Sequence, residues 1–158
     1  MKNLPTRGRL LDIGTGGGFP GIPLKVMRPN QPMVLIDSVR KKITFVKSAI
    51  RQLRLDGIEA LHTRAEDLWR QNADVREFEV IVCRALADLD AVVQMSMPLL
   101  SEKGCIVAYH GPHGGSQSPN GRLNLVLKGR QLHFRLSTVA YPLPFIRDNR
   151  CVSILKIV

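Results

Sequence analysis

Acidic residues are scarce in this sequence. Thirteen Asp and Glu stand against 23 Lys and Arg, a formal net charge of +10 with a sequence pI near 10.2. Such a field attracts polyanions, so a nucleic-acid partner is a natural candidate. Aromatic residues make up only 5%, which argues against a broad base-stacking platform for single strands. No apolar run approaches the roughly 18 residues needed to cross a bilayer, and the first residues lack the apolar stretch of a secretion signal. The expectation is a cytoplasmic protein with no membrane partner. The three cysteines, Cys83, Cys105 and Cys151, are odd in number and widely spaced, with no Cys-x-x-Cys pair and no histidine at ligand spacing. That excludes a disulfide framework and a zinc site, and no metal is expected.

What is present is an alternation. Short runs of aliphatic and β-branched residues are followed by segments of helical period, the pattern of a parallel sheet covered on both faces. Strands are expected at Arg9–Ile13, Met33–Ile36 closing on Asp37, Ile58–His62, Glu79–Cys83 and Cys105–Tyr109. Helices are expected from Gly21 towards Met27, after Asp37, at Ala65–Gln71 and at Asp88–Leu100. In the helix after Asp37, the residues Ile43, Val46, Ile50 and Leu53 form a core-facing stripe. Lys103-Gly104 reads as a turn and His110–Gly121, rich in Gly, Pro, Ser and Asn, as a loop. A short helix is expected at Leu123–Lys128, then two strands near Leu132–Tyr141 and Cys151–Val158, whose direct succession implies an antiparallel edge. His62, Trp69 and His133 sit in apolar patterns and are expected in the core or at its boundary. With 158 residues, 44% of them hydrophobic, the chain reads as one domain, 1–158.

The most informative segment is Leu10-Leu11-Asp12-Ile13-Gly14-Thr15-Gly16-Gly17-Gly18-Phe19-Pro20-Gly21. Glycines 14, 16 and 18 allow positive φ and let a ligand approach the backbone where the first strand passes into the first helix. A triphosphate loop would need Gly-Lys followed by Ser or Thr, and no lysine precedes Lys25. The dinucleotide fingerprint would need glycine where Phe19 stands. What remains is Asp-x-Gly-x-Gly-x-Gly with a second carboxylate, Asp37, at the next strand tip, an arrangement that suits S-adenosylmethionine. Glycine backbone would lie beside the methionine portion, and Asp37 would accept from the ribose hydroxyls. The alternative is that the glycines only make a tight turn and Asp37 caps the following helix through Ser38 to Arg40.

Four further segments extend the comparison: Phe19-Pro20-Gly21-Ile22-Pro23-Leu24, Ile36-Asp37-Ser38-Val39-Arg40-Lys41-Lys42, Arg64-Ala65-Glu66-Asp67-Leu68 and Cys83-Arg84-Ala85-Leu86-Ala87-Asp88-Leu89. Together with the glycine turn they make the sequence, from Leu10 to its end, resemble the bacterial GidB family, guanine-N7 methyltransferases of small-subunit (16S) ribosomal RNA. The resemblance implies an α/β, Rossmann-like class I S-adenosylmethionine-dependent methyltransferase. Its sheet would be mostly parallel and seven-stranded with an antiparallel edge strand, helices would cover both faces, and the chain would act as a monomer on ribosomal RNA. It further implies that Asp12, Gly14, Gly16, Gly18, Phe19, Asp37, Ser38, Ala65, Glu66 and Arg84 contact the cofactor. Arg84 and Arg64 would position the substrate, with His110 and Arg150 nearby. Arg64 and Arg150 could equally be solvated surface charges, whereas Arg84 follows Val80-Ile81-Val82-Cys83 at the carboxyl end of an expected central strand, where ligands of open α/β sheets collect.

Two departures from the family pattern stand out. His110 occupies a position where the family has lysine, so a permanent cation becomes a titratable one. The first strand begins at Arg9, whereas relatives carry an additional helical segment before it, which this chain is expected to lack, through either a truncated start or a reduced member of the family. Arg40, Lys47, Arg51 and Arg54 form a basic stripe on the second helix, able to bind RNA phosphates or to serve as an ordinary solvated face. Guanine N7 has a free lone pair and no proton to lose, so no general base is expected. Other readings keep the cofactor with another RNA or small-molecule acceptor, or make the chain an inactive RNA-binding relative.

Overall fold

Near-continuous burial along short apolar runs builds the centre of the protein. The computed structural model describes residues 5–71, 78–84, 88–111, 120–127, 129–143 and 146–158. Strands β1 (Arg9–Ile13), β2 (Met33–Asp37), β3 (Ile58–His62), β4 (Phe78–Arg84) and β5 (Leu100–His110) pair in parallel, and β6 (Asn120–Leu127), β7 (Arg130–Leu143) and β8 (Ile146–Ile157) join through antiparallel pairs. One sheet results, in the order β3-β2-β1-β4-β5-β8-β7-β6. Direction in the order reverses between β1 and β4, which opens a crevice at the carboxyl ends of those strands.

Helices α1 (Gly21–Met27), α2 (Arg40–Gln52), α3 (Ala65–Gln71) and α4 (Leu89–Ser96) follow the first four strands in turn. Successive strand residues point to opposite faces. On one face Leu10, Leu35, Val80 and Val82 pack with Leu24 of α1 and Ile43 and Val46 of α2. On the other, Leu11, Val34, Ile36 and Ile81 pack with Leu68 and Trp69 of α3 and Val92 and Val93 of α4. The central strands are therefore apolar on both sides, as parallel strands between helix layers must be.

Lys25 is 2% exposed on α1, a burial that its sequence context does not announce. Its ammonium donates to the carbonyls of Pro29 and Gln31, each at 2.8 Å, and of Gly57 at 3.2 Å. Three carbonyls converging on one cation tie the end of α1 to the turn before β2 and to the loop before β3. Burial pulls its pKa below the ordinary lysine value.

Several expectations are corrected. Leu123–Leu127 is strand, not helix: Leu123 and Leu125 face the core while Asn124 and Val126 face away, a period of two. The pair Leu127↔Arg130 leaves a two-residue hairpin loop ending in Gly129 at φ +76°, and the expected helix end at Lys128 lies outside the described residues. The sheet thus has eight strands, one more than expected, with three joined antiparallel. The helix expected over Asp88–Leu100 stops at Ser96, because Pro98 after the Met97 cap has no N–H to continue the hydrogen-bond ladder. Asp88 caps its start, accepting from the Ala91 N–H at 2.8 Å. Lys103-Gly104 lies within β5, where the register shifts between Phe78 and Val80, and β5 bulges there instead of turning.

Leu53 is the C-cap of α2 and 53% exposed, so the core stripe ends at Ile50. His62 and His133 are exposed, His62 on edge strand β3 and His133 on β7, whereas Trp69 packs at the core boundary. His110 ends β5 and Gly121 belongs to β6; of the loop expected between them, 112–119 lies outside the described residues. The same holds for Ala85, Leu86 and Ala87 of the Cys83–Leu89 segment. No helix of the described residues is long and apolar enough to cross a membrane.

Candidate active site

The glycine turn is held from below and from the side by two aspartates. Asp12, on β1, is fully buried, and its Oδ2 accepts from the Thr15 hydroxyl at 2.7 Å and from the Gly21 N–H at 2.9 Å. Its Oδ1 is buried without a hydrogen-bond partner among the described residues. Burial pushes its carboxyl from 3.8 up to about 6, against the lowering effects of the Thr15 and Gly21 hydrogen bonds and of the Arg84 charge. Gly21 has to be glycine here, since a Cβ would stand 2.7 Å from Asp12 Oδ2 and 2.8 Å from Leu35 Cγ. The first helix can thus rest directly on the aspartate.

Asp37, at the tip of β2 and 6% exposed, accepts from the Gly16 N–H at 3.0 Å through Oδ2 and from the Val39 N–H at 2.9 Å through Oδ1. Lys42 Nζ lies 3.7 Å from the same Oδ2. Asp37 therefore pins the glycine turn to the second strand and turns the chain into α2. The helix cap itself is Val39, with no side-chain hydrogen bond, so Asp37 is not the N-cap of α2. Asp37 thus makes the turn that the alternative reading expected of it, and it also lines the adjoining cleft.

Above this turn lies a cleft of about 420 Å³. Of the expected residues, the structure brings together Gly14, Gly16, Asp37, Ser38, Arg64, Ala65, Glu66 and Arg84 on its walls. Thr63, Lys42 and Met95 also line it. Lys42 was legible in the Arg40-Lys41-Lys42 run, while nothing in the pattern of α4 marked Met95. A second depression of about 500 Å³ shares Ser38, Thr63 and Arg64 and adds His62, Asp67 and Arg70. His62 Nε2 is 3.0 Å from the Ser38 carbonyl oxygen.

Other expected residues sit apart from the cleft wall. Gly18, at φ +91°, is packed against Ile22 and donates its N–H to the Thr15 carbonyl. Phe19 is half exposed, and the Arg84 guanidinium lies 5.8 Å from its ring centroid, a cation–π contact that joins the turn to the end of β4. Arg84 is the last residue of β4 and exposed. His110 ends β5, where it is paired with Cys151, and Arg150 lies on the adjacent stretch of β8, where a Cβ on Gly111 would stand 3.3 Å from Arg150 Nη1. The His110 Nε2 is buried without a partner among the described residues, and burial lowers its pKa from the ordinary histidine value. Arg40, Lys47 and Arg51 are exposed on α2, but Arg54 stands beyond the helix at φ +51° and leaves the stripe.

The cysteines are free, and burial pushes the Cys83 thiol up to about 12, which makes it inert as a nucleophile. Among the described residues no group of three or more His, Cys, Asp or Glu is arranged to hold a metal.

A glycine turn at the switch point, an acidic second-strand tip and a crevice over both define the class I, Rossmann-like methyltransferases. Solved structures agree on the fold. A predicted O-methyltransferase of Agrobacterium tumefaciens matches with TM-score 0.68 at 14% identity, over 95% of this chain and 74% of that one. Pyrococcus horikoshii TYW2, solved in complex with MeSAdo, matches with TM-score 0.67 at 10% identity, over 99% of this chain and 59% of that one. The GidB family profile, described as rRNA small subunit methyltransferase G, matches residues 1–137. Ribosomal RNA small subunit methyltransferase G of a Geobacter species is 40% identical over 155 residues, 98% of this chain and 69% of that protein. The chain belongs to the rRNA small subunit methyltransferase G family. It spans 60% and 65% of the length of two further relatives of the same name.

Proposed function

We propose that the chain is a single methyltransferase domain that acts in the cytoplasm, transferring a methyl group from S-adenosylmethionine to N7 of a guanine in small-subunit (16S) ribosomal RNA. The observation that carries this reading is the gathering of Gly14, Gly16, Asp37, Glu66, Arg64 and Arg84 around one cleft at the switch point of the sheet. The residues fit such a cofactor. The cleft volume of about 420 Å³ falls in the range of small-molecule sites. The nearest atom to a Cβ built on Gly16 is the Gly14 carbonyl oxygen at 3.9 Å, so a ligand can lie directly on this backbone. Asp37 Oδ2 would accept from ribose hydroxyls, Ala65 and Glu66 would border the adenine, and Gly14 with Phe19 would flank the methionine and adenosine portions.

When bound, the cofactor supplies a sulfonium-activated methyl group to a nucleophile, guanine N7, that already has a free lone pair and no proton to lose. The chain's residues therefore position and stabilise, and none has to remove a proton. Arg84, held over Phe19, can donate to guanine O6 or to a phosphate while leaving N7 open. Arg64, on the wall shared with the second depression, can do the same from the opposite side. Arg150 adds a cation on β8 level with the end of β5, and His110, the last residue of β5, can donate or accept one hydrogen bond. Arg40, Lys47 and Arg51 on α2 offer contacts to RNA phosphates, and Arg54 extends them past the helix end.

The test is to offer the protein methyl-labelled S-adenosylmethionine together with small ribosomal subunits from a strain lacking the family enzyme, and to map the labelled base. Label at a guanine N7 of the 16S RNA is the expected result. No label from a preparation that binds the cofactor would overturn the assigned acceptor.

A further inference from the structure

The positive charge of the chain is concentrated in its last third. From Lys103 onward the sequence holds eight Lys and Arg against one acid, Asp148. The fold sorts part of that charge onto one surface. On the sheet face that carries α1 and α2 further along, no described helix packs extensively on β6, β7 or β8. Along β8 the residues Arg150, Val152, Ile154 and Lys156 point to this open face, and along β7 so do His133, Arg135, Ser137 and Val139, by the alternation that buries Phe134, Leu136 and Leu155 on the opposite side.

The register then sets three cations side by side. Arg122 of β6 is directly opposite Arg135 of β7, and Arg135 is directly opposite Lys156 of β8. All three are exposed, and none forms an ion pair among the described residues. The next row holds Asn124 and His133, joined by a 2.8 Å hydrogen bond between Asn124 Oδ1 and His133 Nδ1. Like charges directly opposite one another destabilise a sheet, and folding alone does not account for two such pairs in one row when threonine would serve the strands better. A polyanion laid across the row reverses the sign of the effect.

We infer that this open face is a docking surface for the phosphate backbone of RNA outside the nucleotide that is methylated. This rests on the reading of ribosomal RNA as substrate. Continuity supports it, because Arg150, at the site end of β8, and Lys156 lie six residues apart on one face, about 20 Å along the strand. The surface leads from the edge of the catalytic end to the cation row. Its occupant is the sugar-phosphate backbone and not the bases, since none of the residues named on this face is Phe, Tyr or Trp and the neighbouring Tyr141, opposite Arg150, is half-buried.

The test compares the protein with its Arg122→Gln/Arg135→Gln/Lys156→Gln variant, measuring affinity for a transcript of the small-subunit ribosomal RNA as salt is raised. Three lost phosphate contacts reduce the slope of log affinity against log salt by about 2.7, which shrinks the loss of affinity between about 50 and 200 mM salt by about 40-fold. Affinity for S-adenosylmethionine stays unchanged. Relief of the like-charge pairs by Arg135→Gln alone raises Tm by about 1–3 °C, which verifies that the variants fold. An unchanged salt slope, or no RNA binding by the parent protein, overturns the inference. If the parent transfers label to ribosomal RNA while the triple variant keeps its slope, the surface faces something other than RNA and the proposed activity stands. If the slope falls as expected but neither protein transfers label, the surface stands and the activity fails.

Discussion

Replacing Asp12 by asparagine removes a charge from a place where no solvent reaches it. In the folded protein the carboxyl titrates at about 6, and its ordinary value is 3.8. Between those values the native state keeps a proton that the unfolded chain has lost. Stability associated with this group is therefore complete below about pH 3.8 and is lost as pH rises through about 6. The difference of roughly two units corresponds to about 3 kcal/mol. Asparagine cannot ionise, yet its side-chain oxygen can keep accepting from the Thr15 hydroxyl and the Gly21 N–H, as Oδ2 does now. The buried amide NH2 then replaces an unpartnered oxygen, a cost of about 1–3 kcal/mol that does not vary with pH. Urea unfolding of both proteins at 25 °C from pH 4 to pH 7 measures the difference directly, because the other carboxylates titrate alike in both and cancel. The stability of the asparagine variant relative to the parent should rise by about 2.4 kcal/mol across that window, since at pH 4 the unfolded carboxyl is already more than half ionised. A difference that stays flat with pH would refute the argument that burial governs Asp12.

Three further outcomes are expected. Lys25→Met removes a cation that satisfies three carbonyls and should destabilise the fold by about 2–4 kcal/mol, read by urea denaturation; a loss below about 1 kcal/mol would show that those carbonyls find other partners. Arg84→Ala should lower single-turnover methyl transfer to ribosomal RNA by about tenfold or more with Tm little changed, since the side chain is exposed at a strand end; an unchanged rate would remove its positioning role. Asp37→Ala should weaken cofactor binding in a calorimeter by about tenfold or more, through the lost acceptor and the freed Gly16 N–H, and undiminished affinity would argue against Asp37 as the ribose acceptor.

The sequence by itself determined the central parallel strands, the glycine turn and the acidic tip of β2. Each is set by local chemistry: β-branched runs of the right length, glycines at positions of positive φ, and an aspartate closing a strand. Asp37, Arg64, Glu66 and Arg84 were legible as candidates because their motifs are contiguous segments at strand ends. Tertiary structure decided what depends on partners distant in sequence. Leu123–Leu127 became strand because β7 was available to pair with it, and a short apolar run cannot declare its period without that neighbour. Arg54 left the basic stripe because α2 ends before it, and His133 faced outward because no described helix packs extensively on its side of β7. The burial of Lys25 among three carbonyls, the elevated titration of Asp12 and the alignment of Arg122, Arg135 and Lys156 all follow from register and packing between segments. Burial and electrostatics are properties of what surrounds a side chain, and only the folded chain supplies those surroundings.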